Sequence, residues 1–186
     1  ISSIMKMYFF ILDEINRANL STVLGELIYA LEYRNSEVQS MYKVDGSNKL
    51  ILPPNLYIIG TMNTADRSVG HIDYAIRRRF AFVEVLPKVL TDTEFETELF
   101  KGVSALFVKE IDADTLVPSE FLSSEFRPQD VWLGHSYFIK LPEVSSNLRW
   151  QYEILPILEE YIKDGILLES PKLRDALKKL PDVING

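Results

Sequence analysis

Three polar clusters in the first half of the chain have the residue types needed to act on a phosphate ester. Asp13 and Glu14 follow the apolar run MYFFIL directly. Asn63, Thr64, Asp66 and Arg67 crowd into five positions after a second apolar run, within YIIGTMNTADR at 57–67. Arg77, Arg78 and Arg79 stand just ahead of a third, FAFVEVL. A hard divalent cation such as Mg²⁺ takes oxygen ligands, so Asp13 suits one, directly or through water. Glu14, one residue later, would address another part of the site and could polarise an attacking water, help worth roughly 10²–10⁴ in rate. Asn63 and Asp66 could orient that water or a terminal phosphate, and an arginine could neutralise the charge building there, worth roughly 10³–10⁵. Singly, each cluster has a plain structural explanation: a solvated loop, a side chain closing its own turn, cations at a helix's negative end. Together, at one rim of one inferred sheet, they suit a nucleoside triphosphate.

The elements that must position these residues are legible from periodicity. Residues 7–12 and 56–61 are continuous apolar runs, as expected of strands covered on both faces. Between them Leu20, Val23, Leu24, Leu27, Ile28 and Leu31 recur at three- and four-residue steps, predicting an amphipathic helix from about Asn19 to Tyr33, capped by Asn19 or Ser21. Asp45-Gly46 between two β-prone runs predicts a hairpin over 38–52, ended by Pro53-Pro54. A short helix at 72–78 and a third strand at 80–86 complete the order strand, helix, hairpin, strand, helix, strand. The pattern implies a parallel α/β sheet with an inserted β-hairpin over residues 1–87. Ligands in such sheets bind beyond the carboxyl ends of the strands. From 88 to 186 the pattern is mostly helical, with helices expected at 92–110, 118–123, 147–163 and 171–179. The aromatic-rich 131–142 is the irregular exception.

Composition narrows the class. The 186 residues are 47% apolar and 25% charged, an ordinary globular balance, and the net charge of −7 does not advertise a general nucleic-acid surface. The absence of cysteine excludes disulfides and thiolate metal sites and suits a cytoplasmic setting. The run MYFFIL is too short for a membrane span. The chain starts almost directly on a strand without Met, which reads as a fragment of something longer.

FFILDEINRANLS resembles the Walker B segment of AAA+ proteins, and MNTADRS…DYAIRRRF is similar to the McrB family, the GTPase motor subunits of modified-cytosine restriction systems. LGHSYF at 133–138 and YEILPILEEYIKDG at 152–165 also look like that family's helical lid. The resemblance implies a partial AAA+ core at 1–87 and a helical lid at 88–186. It makes Asp13 the Mg²⁺-associated aspartate, Glu14 the catalytic glutamate, and Asn63 and Asp66 the residues that position water. Arg79 or Arg78 becomes the finger reaching a neighbouring subunit's nucleotide, with Arg17, Arg67, Asp73 and Arg77 in the interface or polar network. His135 is a candidate to approach the nucleotide from the lid. Implied with these are GTP, with ATP as the alternative, a hexameric ring, an endonuclease subunit of the McrC type, and DNA in the full complex. One departure is large: nothing matches G-x-x-x-x-G-K-[ST], the loop that cradles phosphates, and no Gly-Lys dipeptide occurs. Two other readings are a MoxR-like ATPase that remodels proteins and a non-catalytic AAA+ remnant serving as an interface.

Overall fold

The computed structural model describes residues 6–17, 19–63, 74–91 and 93–184. The chain divides into two compact units, Ile1–Val83 and Glu84–Gly186. Among the described residues no helix is long and apolar enough to cross a membrane.

The first unit is α/β. Strand β1 (Tyr8–Leu12) pairs in parallel with β4 (Leu56–Gly60), in register from Tyr8 opposite Leu56 to Leu12 opposite Gly60. Parallel strands need a long crossover, and this one holds helix α1 (Leu20–Glu32) and the hairpin β2 (Glu37–Val44) and β3 (Ser47–Ile51). The hairpin reverses at Asp45 and Gly46, whose φ angles of 51° and 81° are those of a tight turn matching strand twist. Pairing slips beyond Gln39–Lys49, so that Ser40 to Lys43 bulge before Val44 meets Ser47. Helix α1 is kinked at Gly25 and buries Leu24 and Ile28 with Ile76 of the short helix α2 (Tyr74–Arg77), beside Leu12, Ile15 and Phe80. Ala30 of α1 and Val38 and Leu52 of the hairpin form a second small core.

Two expectations for this unit are corrected. Strand β1 is not covered on both faces: Phe9 is 57% and Ile11 66% exposed, because a two-stranded sheet has too little around it. The run at 80–86 is not a strand. A β-prone run becomes one only when its backbone pairs, and no described residue offers it a ladder. Val83 and Val85 stand 83% and 84% exposed.

The second unit is mostly helical around one apolar core. Helix α3 (Thr97–Ser104) buries Leu99, Phe100 and Val103 in it. Helices α4 (Pro128–Val131), α5 (Ser146–Arg149), α6 (Leu155–Lys163) and α7 (Pro171–Lys179) follow. Between α5 and α6 the backbone opens into a wider π-type turn over Trp150–Ile154. Pro156, which lacks an N–H and whose ring would press on the Tyr152 carbonyl, gives the physical reason. Ser145 and Ser170 cap α5 and α7, accepting from Leu148 N and Leu173 N. The helix expected over 92–110 is shorter, since Phe95 bridges to Ile139 ahead of it and Val108 bridges to Pro118 after it. The helix expected at 118–123 is absent. That stretch is tied down by the same Val108–Pro118 bridge and by one from Leu122 to Leu167.

Candidate active site

Because β1 and β4 run parallel and in register, their carboxyl ends finish side by side, and the next residues of each meet. Thr61 N donates to the Leu12 carbonyl at 2.9 Å and the Thr61 carbonyl accepts from Ile15 N at 2.8 Å, continuing the ladder past the strands. The Thr61 hydroxyl donates to Asp13 Oδ1 and accepts from Glu14 N at 3.0 Å. Asn16 Nδ2 donates to the Asn63 carbonyl at 2.9 Å. Segments 47 and 48 residues apart in sequence are thus stitched at one edge, bringing Asp13, Glu14 and Asn63 together. Gly60 makes the close approach possible: a Cβ there would lie 2.8 Å from Ile15 Cδ1.

The turn carrying the carboxylates is tight. Glu14 has φ 51°, the left-handed region that side-chain-bearing residues enter rarely and at a cost near 1 kcal/mol. Holding its N–H on Thr61 and its carbonyl on Arg17 N, at 2.9 Å, over-determines that conformation. The two acids engage different partners: Asp13 takes the Thr61 hydroxyl, and Glu14 forms an ion pair with Arg17 three residues on. That pair is exposed, 64% for Arg17 and 44% for Glu14, so water screens it and it yields easily to another ligand. Sequence reasoning missed Thr61 and Asn16. Parallel register offered the only signal for them, since it places the residue after β4 against the residue after β1.

The arginines engage other partners. Arg79 Nη2 pairs with Glu32 Oε1 at 2.8 Å, with the Arg79 side chain only 16% exposed. Glu32 ends the 13-residue helix α1, so Arg79 is tied to the last turn of that helix. Arg77 lies over the Phe82 ring at 5.3 Å, and Arg78 is exposed with Nε 3.3 Å from the Tyr74 carbonyl. The hydrogen bonds bring Asp13, Glu14 and the Asn63 backbone to one edge. Ile76 and Phe80, on either side of the triplet, pack in one cluster with Leu12 and Ile15. Asp66, Arg67, Asp73 and His71 lie outside the described residues. His135 belongs to the second unit, on a 3₁₀ turn (His135–Phe138), where its Nδ1 is enclosed without a hydrogen-bond partner.

Could this edge hold a divalent cation? Among the described residues no three His, Cys, Asp or Glu side chains gather into a metal cage. Asp13, with one oxygen on Thr61, instead offers the single hard carboxylate that suits Mg²⁺, which keeps waters and takes its other ligands from phosphate oxygens. The donor chemistry fits.

Two carboxylates at the carboxyl end of one parallel strand thus meet Thr61 at the end of its neighbour, and Asn16 ties the same turn to the Asn63 backbone. Residues 3–80 match the AAA domain family, dynein-related subfamily, and the first unit is of that class. The chain is 38% identical over 177 positions, 86% of its length, to the type IV methyl-directed restriction enzyme EcoKMcrB subunit of Escherichia coli (strain K12). It is 37% identical over 184 positions, 89% of its length, to the type II restriction enzyme BsuMI component YdiS of Bacillus subtilis (strain 168). The McrB-family likeness read from the MNTAD signature therefore extends over most of the chain. The chain spans 38% of the first relative and 51% of the second.

Proposed function

We propose that this chain forms the water-activating part of a nucleoside triphosphatase, a ring-forming motor subunit in a restriction system for modified DNA, with GTP as substrate and an endonuclease subunit as partner. One observation carries the reading: the Thr61-centred juxtaposition of Asp13, Glu14 and Asn63 at the carboxyl edge of a parallel pair. The relatives' names, both of restriction enzyme components, support the setting.

Asp13 holds Mg²⁺, which when bound supplies positive charge against the phosphates. Glu14, released from its weak pair with Arg17, takes a proton from the attacking water. Asn63, with Asp66, orients that water. The phosphate cradle is not among these residues, since the sequence lacks the lysine-bearing loop, and it is assigned to another segment of the complete polypeptide. Arg78 is the better candidate for the finger that reaches a neighbouring subunit, because Arg79 is anchored within its own chain by Glu32. Arg77 and Arg67 serve the interface, Arg17 and Asp73 the polar network. The second unit is assigned as the lid of the AAA+ module, with His135 as its candidate nucleotide-binding residue.

The test is Glu14→Gln in the complete protein. Nucleotide should bind and remain trapped, with turnover down roughly 10²–10⁴-fold. Turnover near the wild-type rate removes Glu14 from its role. Comparing GTP with ATP, with and without the endonuclease subunit, checks the setting. Turnover confined to ATP and indifferent to that subunit would move the chain to the protein-remodelling class.

A further inference from the structure

We propose that Asn16 is a positioning residue: its side-chain amide sets where Asn63 sits relative to Glu14, and so the alignment of the attacking water. The inference rests on the reading of the site given above and adds to it a residue with no role so far.

The ladder between β1 and β4 runs past both strands before it changes character. Thr61 N donates to the Leu12 carbonyl at 2.9 Å, and the Thr61 carbonyl accepts from Ile15 N at 2.8 Å. In a regular parallel pair the two partners of one residue are separated by a single residue. Here two residues intervene, Asp13 and Glu14, so the acidic turn takes up an extra residue as a bulge does. Counted on from Ile15 and Thr61, the next rung of the series would join Arg17 N to the Asn63 carbonyl. Arg17 N does not make it. It turns back to the Glu14 carbonyl at 2.9 Å, closing the 3₁₀ turn Ile15–Arg17. The Asn16 side chain supplies the donor instead, Nδ2 to the Asn63 carbonyl at 2.9 Å. A side-chain amide thus takes the place of a main-chain rung.

That substitution makes the tie depend on residue type. A main-chain rung can be made by any residue but proline, whereas this one needs an N–H donor on a short stem, which asparagine has and leucine or alanine lacks. Holding the Asn63 carbonyl holds the Cα beside it, and with it the direction in which the Asn63 side chain leaves the backbone. Glu14 lies in the same turn as Asn16, its own peptide held by Thr61 Oγ1 at 3.0 Å. The residue read as the base and the residue read as orienting the water are therefore joined through Asn16. Misplacing one against the other reduces the rate without weakening nucleotide binding.

The experiment uses the complete protein with GTP and builds a double-mutant cycle from Asn16→Leu and Asn63→Ala, with melting temperature, kcat and KM measured for each variant. Leucine copies the shape of asparagine without its amide. Asn16→Leu should lower kcat about tenfold, the order that losing one hydrogen bond produces, and leave KM within about twofold. Asn63→Ala should lower kcat by about tenfold or more. Because Asn16 acts through Asn63, adding Asn16→Leu to Asn63→Ala should change kcat by less than about twofold. Wild-type kcat in Asn16→Leu, or a loss confined to KM, overturns the assignment. So does a double variant in which the two losses multiply, since Asn16 would then serve the scaffold alone. Wild-type turnover in Asn63→Ala removes the water-orienting role of Asn63, and the Asn16 assignment with it. An impaired Asn63→Ala beside an unimpaired Asn16→Leu removes the Asn16 assignment only. Should Asn16→Leu melt early, Asn16→Ala is read by the same criteria.

Discussion

Replacing Arg78 and Arg79 separately by alanine should give opposite phenotypes, and the structure sets their sizes. Arg79 is 16% exposed and its guanidinium meets Glu32 at 2.8 Å, but Glu32 is itself 46% exposed, so water screens part of the pair. Discounted for that exposure, Arg79→Ala should cost about 1 kcal/mol from the lost pair and the packing of the side-chain stem. For a chain of this size that is ~2–4 °C in melting temperature. Arg78 is exposed and touches only its own turn, at 3.3 Å, so Arg78→Ala should leave stability within about 0.5 kcal/mol of wild type. Turnover should reverse the order. In the complete protein Arg78→Ala should lower hydrolysis roughly 10³-fold or more, because a finger's charge is missing from the neighbour's site. Mixing Arg78→Ala subunits with Glu14→Gln subunits supplies the decisive assay. An interface that takes Arg78 from the glutamine variant and Glu14 from the alanine variant is complete, so the mixture should hydrolyse nucleotide although each parent is silent. A mixture as inactive as its parents would refute action between chains. A melting loss in Arg78→Ala but not in Arg79→Ala would refute the anchoring by Glu32.

Two further outcomes concern the second unit. The Arg174 guanidinium bonds both oxygens of Glu169 at 2.7 Å and also reaches Glu159, and this hydrogen bonding holds the Glu169 carboxyl below its ordinary value of 4.5. A lowered folded value means that the stabilisation is complete above about pH 4.5 and is lost as pH falls through the folded value. The melting difference between wild type and Glu169→Gln should thus be largest near neutrality and vanish in acid, as a pH series of thermal scans would record. Leu158 is fully enclosed, and Leu158→Ala should destabilise the chain by about 2–5 kcal/mol, read as a lower urea midpoint at unchanged slope.

Much of the first unit was legible because its signals are local. Asp45-Gly46 predicts a turn from backbone chemistry alone, and MYFFIL and LYIIGT are β-prone whatever surrounds them. What the residues could not reveal was pairing. FAFVEVL carries the composition of a strand, yet a ladder is a property of two segments, and no described segment offers itself. The helix read over 92–110 failed for the same kind of reason: Phe95 and Val108 are drawn into bridges with Ile139 and Pro118, far along the chain. At the site, Asp13 and Glu14 stood out only in company with the Asn63–Arg67 cluster and the arginine triplet, since two acids after an apolar run are by themselves an ordinary solvated loop. Thr61 did not, since a threonine after a strand is ordinary until the parallel register sets it against Asp13.

One small core supports both the acidic turn and the arginine segment of the first unit. The acidic half is made where β1 and β4 end, by bonds among residues 12–16 and 61–63. Arg79 is fastened to the last residue of α1, and α1 begins just after the acidic turn and leads away from it. Ile76, 2% exposed and packed on Leu24 and Ile28, fixes the short helix that leads into the triplet. Leu12 and Ile15, on either side of the two acids, pack in the same small core as Ile76 and Phe80, so one cluster supports both the acidic turn and the segment that carries the arginines.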